Sequence, residues 1–455
     1  MFAQREPFGH DGLRAWTTDR EDGMHGTQRR RRATSIPPVR RRGGWLANAA
    51  LVLALGALGV ASGSQASAAE LTGKLGSKLF FGANNGTHGC ELWTTNGTKQ
   101  GTKLFKNIAP GNQSSFPRDF GKLGERLYFS AADGNGYELW RTDGTKRGTK
   151  LFKKIAPGPG SSFPGSFARL GKWLYFAADD GSNGRELWRT NGTKKGTKLF
   201  KNITPGAGYS APREFAKLGN RLYFAADDGD TGFELWRTNG KKQGTKLIKD
   251  VRPGGDNSFP EDLTRLGKRL YFRAEDGTNG SELWRSNGTK QGTQLLKNIG
   301  PLASGSQPSD FEQLGKRLYF RANGGFNGVE LWRTDGTGPG TQLFRDIQLG
   351  IGNSNPSGFT RLGKRLYFQA DDGANGSQLW RTNGTTQGTG LFKNISPGGD
   401  SNAFGFTRFD RSLYFSADDG THGAELWRTD GTGQGTKLFK DIQTGGGGSI
   451  FCSTI

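Results

Sequence analysis

One short phrase constrains this chain more than any other feature. A tryptophan preceded by leucine returns at positions 93, 140, 188, 236, 284, 332, 380 and 427, always 47 or 48 residues after the last. Eight such units fill residues 71–455 with no unrelated insert between them. A unit of this length cannot bury a core alone, so its faces must pack against its neighbours, and the period is close to that of a propeller blade.

The unit at residues 163–203 shows how each copy is built. Four short apolar runs, "FARLG", "WLYFAA", "ELWRT" and "TKLFKNI", read as strands. Between them lie "LGK", "DDGSNGR" and "NGTKKGT", whose Gly, Asp and Asn residues suit tight turns and leave no room for a helix. Glycine makes up 75 of 455 residues, and its placement in these pairs marks turn chemistry rather than a loose linker. In the second strand Leu174, Phe176 and Ala178 share one face and Tyr175 and Ala177 the other. A sheet apolar on both faces must be sandwiched, so Trp188 and its equivalents Trp93, Trp140, Trp236, Trp284, Trp332, Trp380 and Trp427 are expected between sheets. The expected fold is all-β: an eight-bladed β-propeller of four-stranded antiparallel blades over 71–455, preceded by a leader segment at 1–69.

The phrase "ELWRTDGT" at 138–145, 330–337 and 425–432, with "ELWRTNGT" at 186–193, resembles the bacterial ELWxxDGT repeat family. The resemblance extends through all eight units, with "LYFxAxDGxxG" before the phrase and "GTxLFKxI" after it. It implies β-propeller-like repeats in an exported or surface-associated protein, and it carries over no catalytic residue.

Residues 1–44 are polar and Arg-rich, an uncharged run "WLANAALVLALGALGVA" occupies 45–61, and Ala66-Ser67-Ala68 follows. That order reads as an export signal, or as an uncleaved N-terminal anchor, and predicts a secreted, periplasmic or cell-surface protein with no membrane span in the mature chain. The C-terminal "GGGGSIFCSTI" resembles the lead-in that unit one lacks, so the tail is expected to complete the first blade and close the ring. The two cysteines, Cys90 in unit one and Cys452 in that tail, form a disulfide candidate across the same seam.

Candidates for chemistry are few. Asp179, Asp180, Asn183 and Glu186 offer oxygen ligands for calcium, but the segment is shorter than an EF-hand loop. Asn323 and Gly324 replace the acidic pair in unit six, and Gln378 replaces the glutamate in unit seven. Turn structure is the plainer reading, and no other cofactor is expected. The net charge is +22, of which residues 1–69 carry +5. The arginine after most of the tryptophans, as at Arg189, Arg237, Arg285, Arg333, Arg381 and Arg428, repeats often enough to suggest a basic ring for an acidic glycan. No nucleic-acid motif is present, and the expected state is a monomer. Departures from the repeat, such as Tyr209, "PLASGSQ" at 301–307 and "LGIGNSN" at 349–355, pair no nucleophile with a base. The expectation is therefore an exported, non-catalytic binding or surface-interaction scaffold. A glycan hydrolase or lyase with carboxylates in the channel, and a structural matrix protein, are the alternatives.

Overall fold

The computed structural model describes residues 71–206, 208–300 and 305–449. The leader read as an export signal, and Cys452, lie outside the described residues. The first blade comprises β1 (Thr72–Leu75), β2 (Lys78–Asn84), β3 (Cys90–Thr95) and β4 (Lys103–Lys106), paired antiparallel in that order. Seven more four-stranded sheets repeat the pattern, and the whole forms the expected eight-bladed β-propeller. In the third blade the strands span Gly165–Leu170, Trp173–Asp179, Arg185–Thr190 and Lys198–Lys201, each beginning within two residues of the run read from the sequence. Among the described residues no helix is long and apolar enough to cross a membrane.

Turn chemistry sets these boundaries. The Asn191 carboxamide oxygen accepts from the Thr193 amide at 3.1 Å, and Gly192 between them takes a positive φ of 91°. The Thr190 and Thr197 hydroxyls meet at 2.6 Å beneath the loop. The same Thr or Ser pair recurs in every blade, closing each outer hairpin from inside.

The apolar residues pack between blades. Trp188 joins Tyr128, Leu139 and Phe152 of the preceding blade in one buried cluster. Trp93 does the same at the seam, meeting Phe409, Tyr414 and Leu426 of the last blade. Seven of the eight tryptophans are at most 7% exposed, and Trp332 is half-buried against its neighbour.

A buried carboxylate fixes the path between consecutive blades. Glu186 is 0% exposed. One of its oxygens accepts from the Ile203 amide at 2.6 Å and the Ser210 hydroxyl at 2.7 Å, and the other accepts from the Thr204 and Ser210 amides. One side chain thus gathers the end of its own blade and the lead-in to the next. Gln378 replaces the carboxylate in blade seven and still accepts from the Ile395 and Ser396 amides, so the site needs an acceptor more than it needs a charge. At the seam Glu425 accepts from the Ser449 hydroxyl at 2.5 Å, while the Ser449 carbonyl accepts from the Asn84 amide at 2.7 Å. The C-terminal segment therefore supplies the lead-in of blade one, and the ring is closed by the same bonds that join its other blades. Cys90 is disulfide-bonded beside this seam.

Burial raises these glutamates above the ordinary carboxylate range, Glu234 to about 7, against the opposing pull of the Val251 amide and the Ser258 hydroxyl. A raised pKa stabilises the fold fully below the unfolded value, and that contribution is lost as pH rises through about 7. Urea melts at pH 5 and pH 8 should therefore show wild type losing stability toward pH 8, and Glu234→Gln should flatten that loss. Glu234→Ala should cost about 3 kcal/mol at either pH, because buried donors lose their acceptor. In a separate melt, Cys90→Ser should lower the thermal midpoint by the equivalent of about 3 to 5 kcal/mol in the chain-entropy model.

Candidate functional site in the axial channel

The inner strands of all eight blades enclose an axial cavity of about 880 Å³. Its wall is not eightfold symmetric. Where each inner strand begins, the equivalent positions hold Asp119, Ser166, Glu214, Asp262, Asp310, Gly358 and Gly405 in blades two to eight, all lining the cavity. This position adopts a left-handed backbone, with φ between 54° and 59° in the four acids and 68° in both glycines. Glycine is the residue such a backbone favours, so the acids are held there at a cost of about 1 kcal/mol each.

Each acid reaches toward the next blade. Asp119 accepts from the Ser166 amide at 3.2 Å, Glu214 from the Asp262 amide at 2.9 Å, Asp262 from the Asp310 amide at 3.2 Å and Asp310 from the Gly358 amide at 3.4 Å. These bonds tie the inner strands together and also line up carboxylates of adjacent blades. Burial raises all four pKa values. For Asp262 the shift is large, since the charges of Glu214 and Asp310 on either side add to burial. Arg321, 3.7 Å from Asp310, offsets only part of this, and Arg273 is engaged by Glu261.

Two residues further along blade six, Glu312 stands where the other blades have Gly, Ala or Thr. Burial lifts it to about 7 against the pull of Arg361. Lys74 and Arg408, three residues beyond the acid positions, line the same cavity with the half-buried rings of Phe167 and Phe215. One cavity thus holds an acidic layer, aromatic walls and a basic rim about 10 Å away along the strands.

The sequence candidates fall elsewhere. Asp179 accepts from the Gly181 amide, Asp180 from the Ser182 and Asn183 amides, and the Asn183 oxygen from the Asn202 side chain. Glu186 is enclosed in the clasp described above, so the four calcium candidates do not converge. Among the described residues no group of three His, Cys, Asp or Glu is placed to hold a metal ion.

The arginines proposed as a basic ring are used between and within blades. Arg189 lies over the rings of Trp173 and Phe200, and Arg237 donates to the Gly288 carbonyl of the next blade at 2.6 Å. Arg333, Arg381 and Arg428 likewise lie over Phe344, Phe392 and Phe439, and Arg285 donates to Gly336. Leu349 and Ile351, noted as departures from the repeat, are exposed on a loop beside Phe326. The channel acids were missed because they stand two residues after a proline that reads as part of the lead-in. Their signal was the variation there: "PRDF", "PREF" and "PEDL" against "PSGF".

No family model matches the chain, and no curated protein matches it. Several solved structures are similar. One is a prolyl endopeptidase studied for inter-domain dynamics in catalysis and specificity, 15% identical, with a TM-score of 0.44, over 73% of this chain and 48% of that one. Puromycin hydrolase is 14% identical, with a TM-score of 0.45, over 71% and 53%. A puromycin-hydrolyzing peptidase of Mycobacterium tuberculosis is 10% identical, with a TM-score of 0.46, over 72% and 52%. This chain spans about half the length of each. All three are enzymes, against the expectation of a non-catalytic scaffold, and that expectation is not carried forward. At these identities the likeness itself extends to the fold.

Replacing Asp262 with Asn removes the middle charge of the acidic row. Wild type should lose thermal stability as pH rises from 5.5 to 8, because the raised pKa of Asp262 makes ionisation costly, and Asp262→Asn should lose less. Differential scanning calorimetry at the two pH values measures the contrast.

Proposed function

We propose that the axial cavity binds a short zwitterionic ligand, a peptide or peptide-like amino acid. Its amine would face Asp262 and its carboxylate would face Lys74 and Arg408. The observation that supports this reading most directly is Asp262 itself, a half-buried carboxylate between Glu214 and Asp310 on the wall of the cavity. An ammonium group there would relieve repulsion among three like charges. The glycines of blades seven and eight, next along the ring from the acidic row, carry no side chain at this position, which gives the ligand room. About 10 Å separates the acidic layer from the basic rim, close to the span of a tripeptide.

Calorimetric titration with zwitterionic tri-alanine and with its N-acetylated form tests this directly. The free amine should bind at least about tenfold more tightly, and Asp262→Asn should erase the difference. Affinity should rise from pH 5 to 7.5 as the acidic row ionises. Equal binding of the acetylated peptide, or unchanged binding by Asp262→Asn, would sink the reading. Mass spectrometry of the same samples reports turnover, and cleaved peptide would add hydrolysis to recognition, with Glu312 as the acid or base to test first.

A further inference from the structure

The antiparallel order of each blade places two of its turns, first-to-second strand and third-to-fourth, at one end. Repeated around the ring, these turns form one face of the propeller, and the second-to-third turns lie on the other. Charge is sorted between the two. Taking the last two residues of each inner strand through the first of the second strand, the eight segments hold eighteen Lys or Arg and two acids, Glu125 and Asp410. The eight second-to-third turns, from the last residue of the second strand to the one before the third, hold twelve acids and no Lys or Arg.

The basic face also contains a built depression. Lys316, Arg317, Arg361 and Lys364, from blades six and seven, line a cavity of about 660 Å³ with Tyr319, Asn383 and one carboxylate, Asp335. All four cationic residues are exposed; among the described residues no ion pair engages Lys316 or Lys364, while the Thr337 hydrogen bonds, helped by the Arg317 charge, hold the Asp335 carboxyl below its ordinary range. The third-to-fourth loops of these two blades, "DGTGPGT" and "NGTTQGT", carry no lysine to crowd the opening.

We infer that this face docks onto an anionic lipid bilayer, with a phosphate headgroup seated between blades six and seven. Geometry favours a bilayer over a linear polyanion. Basic residues spread around all eight blades of a ring can meet a plane together, whereas a polymer strand crosses only a chord of it. The acidic face would point away from the membrane, so like-charge repulsion would fix the orientation.

Co-sedimentation of the full chain with vesicles tests the inference, using phosphatidylglycerol mixed equally with phosphatidylcholine against phosphatidylcholine alone. Binding should require the anionic lipid and weaken in high salt. Combined Lys316→Glu, Arg317→Glu, Lys364→Glu and Arg365→Glu should lower partitioning by about tenfold or more, and Lys316→Gln with Lys364→Gln should give an intermediate loss. Asp227→Lys with Asp228→Lys, on the other face, should not lower it. The leader is common to all these proteins, so differences among them report the face. Thermal melts matching wild type confirm that each variant is folded. Unchanged partitioning in the folded quadruple variant would overturn the inference, as would binding to soluble polyphosphate but not to vesicles.

Discussion

The rest of the structure depends on a buried acceptor at the start of each third strand. The glutamate of the repeated phrase accepts hydrogen bonds from the end of its own blade and from a serine of the following lead-in, whereas Gln378 in its place accepts from the end of its own blade and the lead-in Ser401 donates to the Ser377 carbonyl. A blade has no edge it can leave in water, and this clasp passes the chain to the next blade without orphaning backbone donors. The serine fixes where the lead-in sits, the lead-in sets the left-handed residue of the inner strand, and that residue lines the channel. Ser449 extends the same logic to the seam, where the C-terminal segment supplies what blade one lacks.

Such a frame is symmetric, and function needs asymmetry. The repeat spends its conserved chemistry on packing: tryptophans between blades, arginines over neighbouring aromatic rings, Asp and Asn in turns. Variation is confined to positions that the frame leaves free. At the inner strand these are the channel-lining residues, with acids in blades two, four, five and six and glycines in blades seven and eight. At the turns they are the exposed tips, where the two faces have acquired opposite charge. Low dielectric in the channel makes a few carboxylates strongly coupled, while on the solvated faces only their number matters.

Much of this was legible in the letters. The period of the tryptophans, alternation in "WLYFAA" and Asx-Gly turns were enough for eight four-stranded blades, because strand and turn signals act over a few residues. The resemblance of "GGGGSI" to a lead-in was enough for closure. The functional readings fared differently. Arg189 and its equivalents look like a free basic ring in the sequence, but their planar guanidinium groups are more stable over Phe200 or Phe439 than in water alone. The "DDGSNG" carboxylates look like ligands, but their own turn amides satisfy them.

What the sequence by itself determined is the unit: its strands, its turns, its two apolar faces and the number of copies. What only the tertiary structure decided is which letters from different copies meet. Glu214, Asp262 and Asp310 are 48 residues apart in sequence, and no local pattern connects them. Packing of consecutive blades brings them to adjacent positions on one wall, where burial and mutual repulsion give them properties that none has alone. The same geometry carries every first-to-second turn to one face, converting scattered Lys-Arg pairs into a single charged surface. Periodicity is a local property that the chain carries along its length, whereas proximity is created by packing one blade on the next.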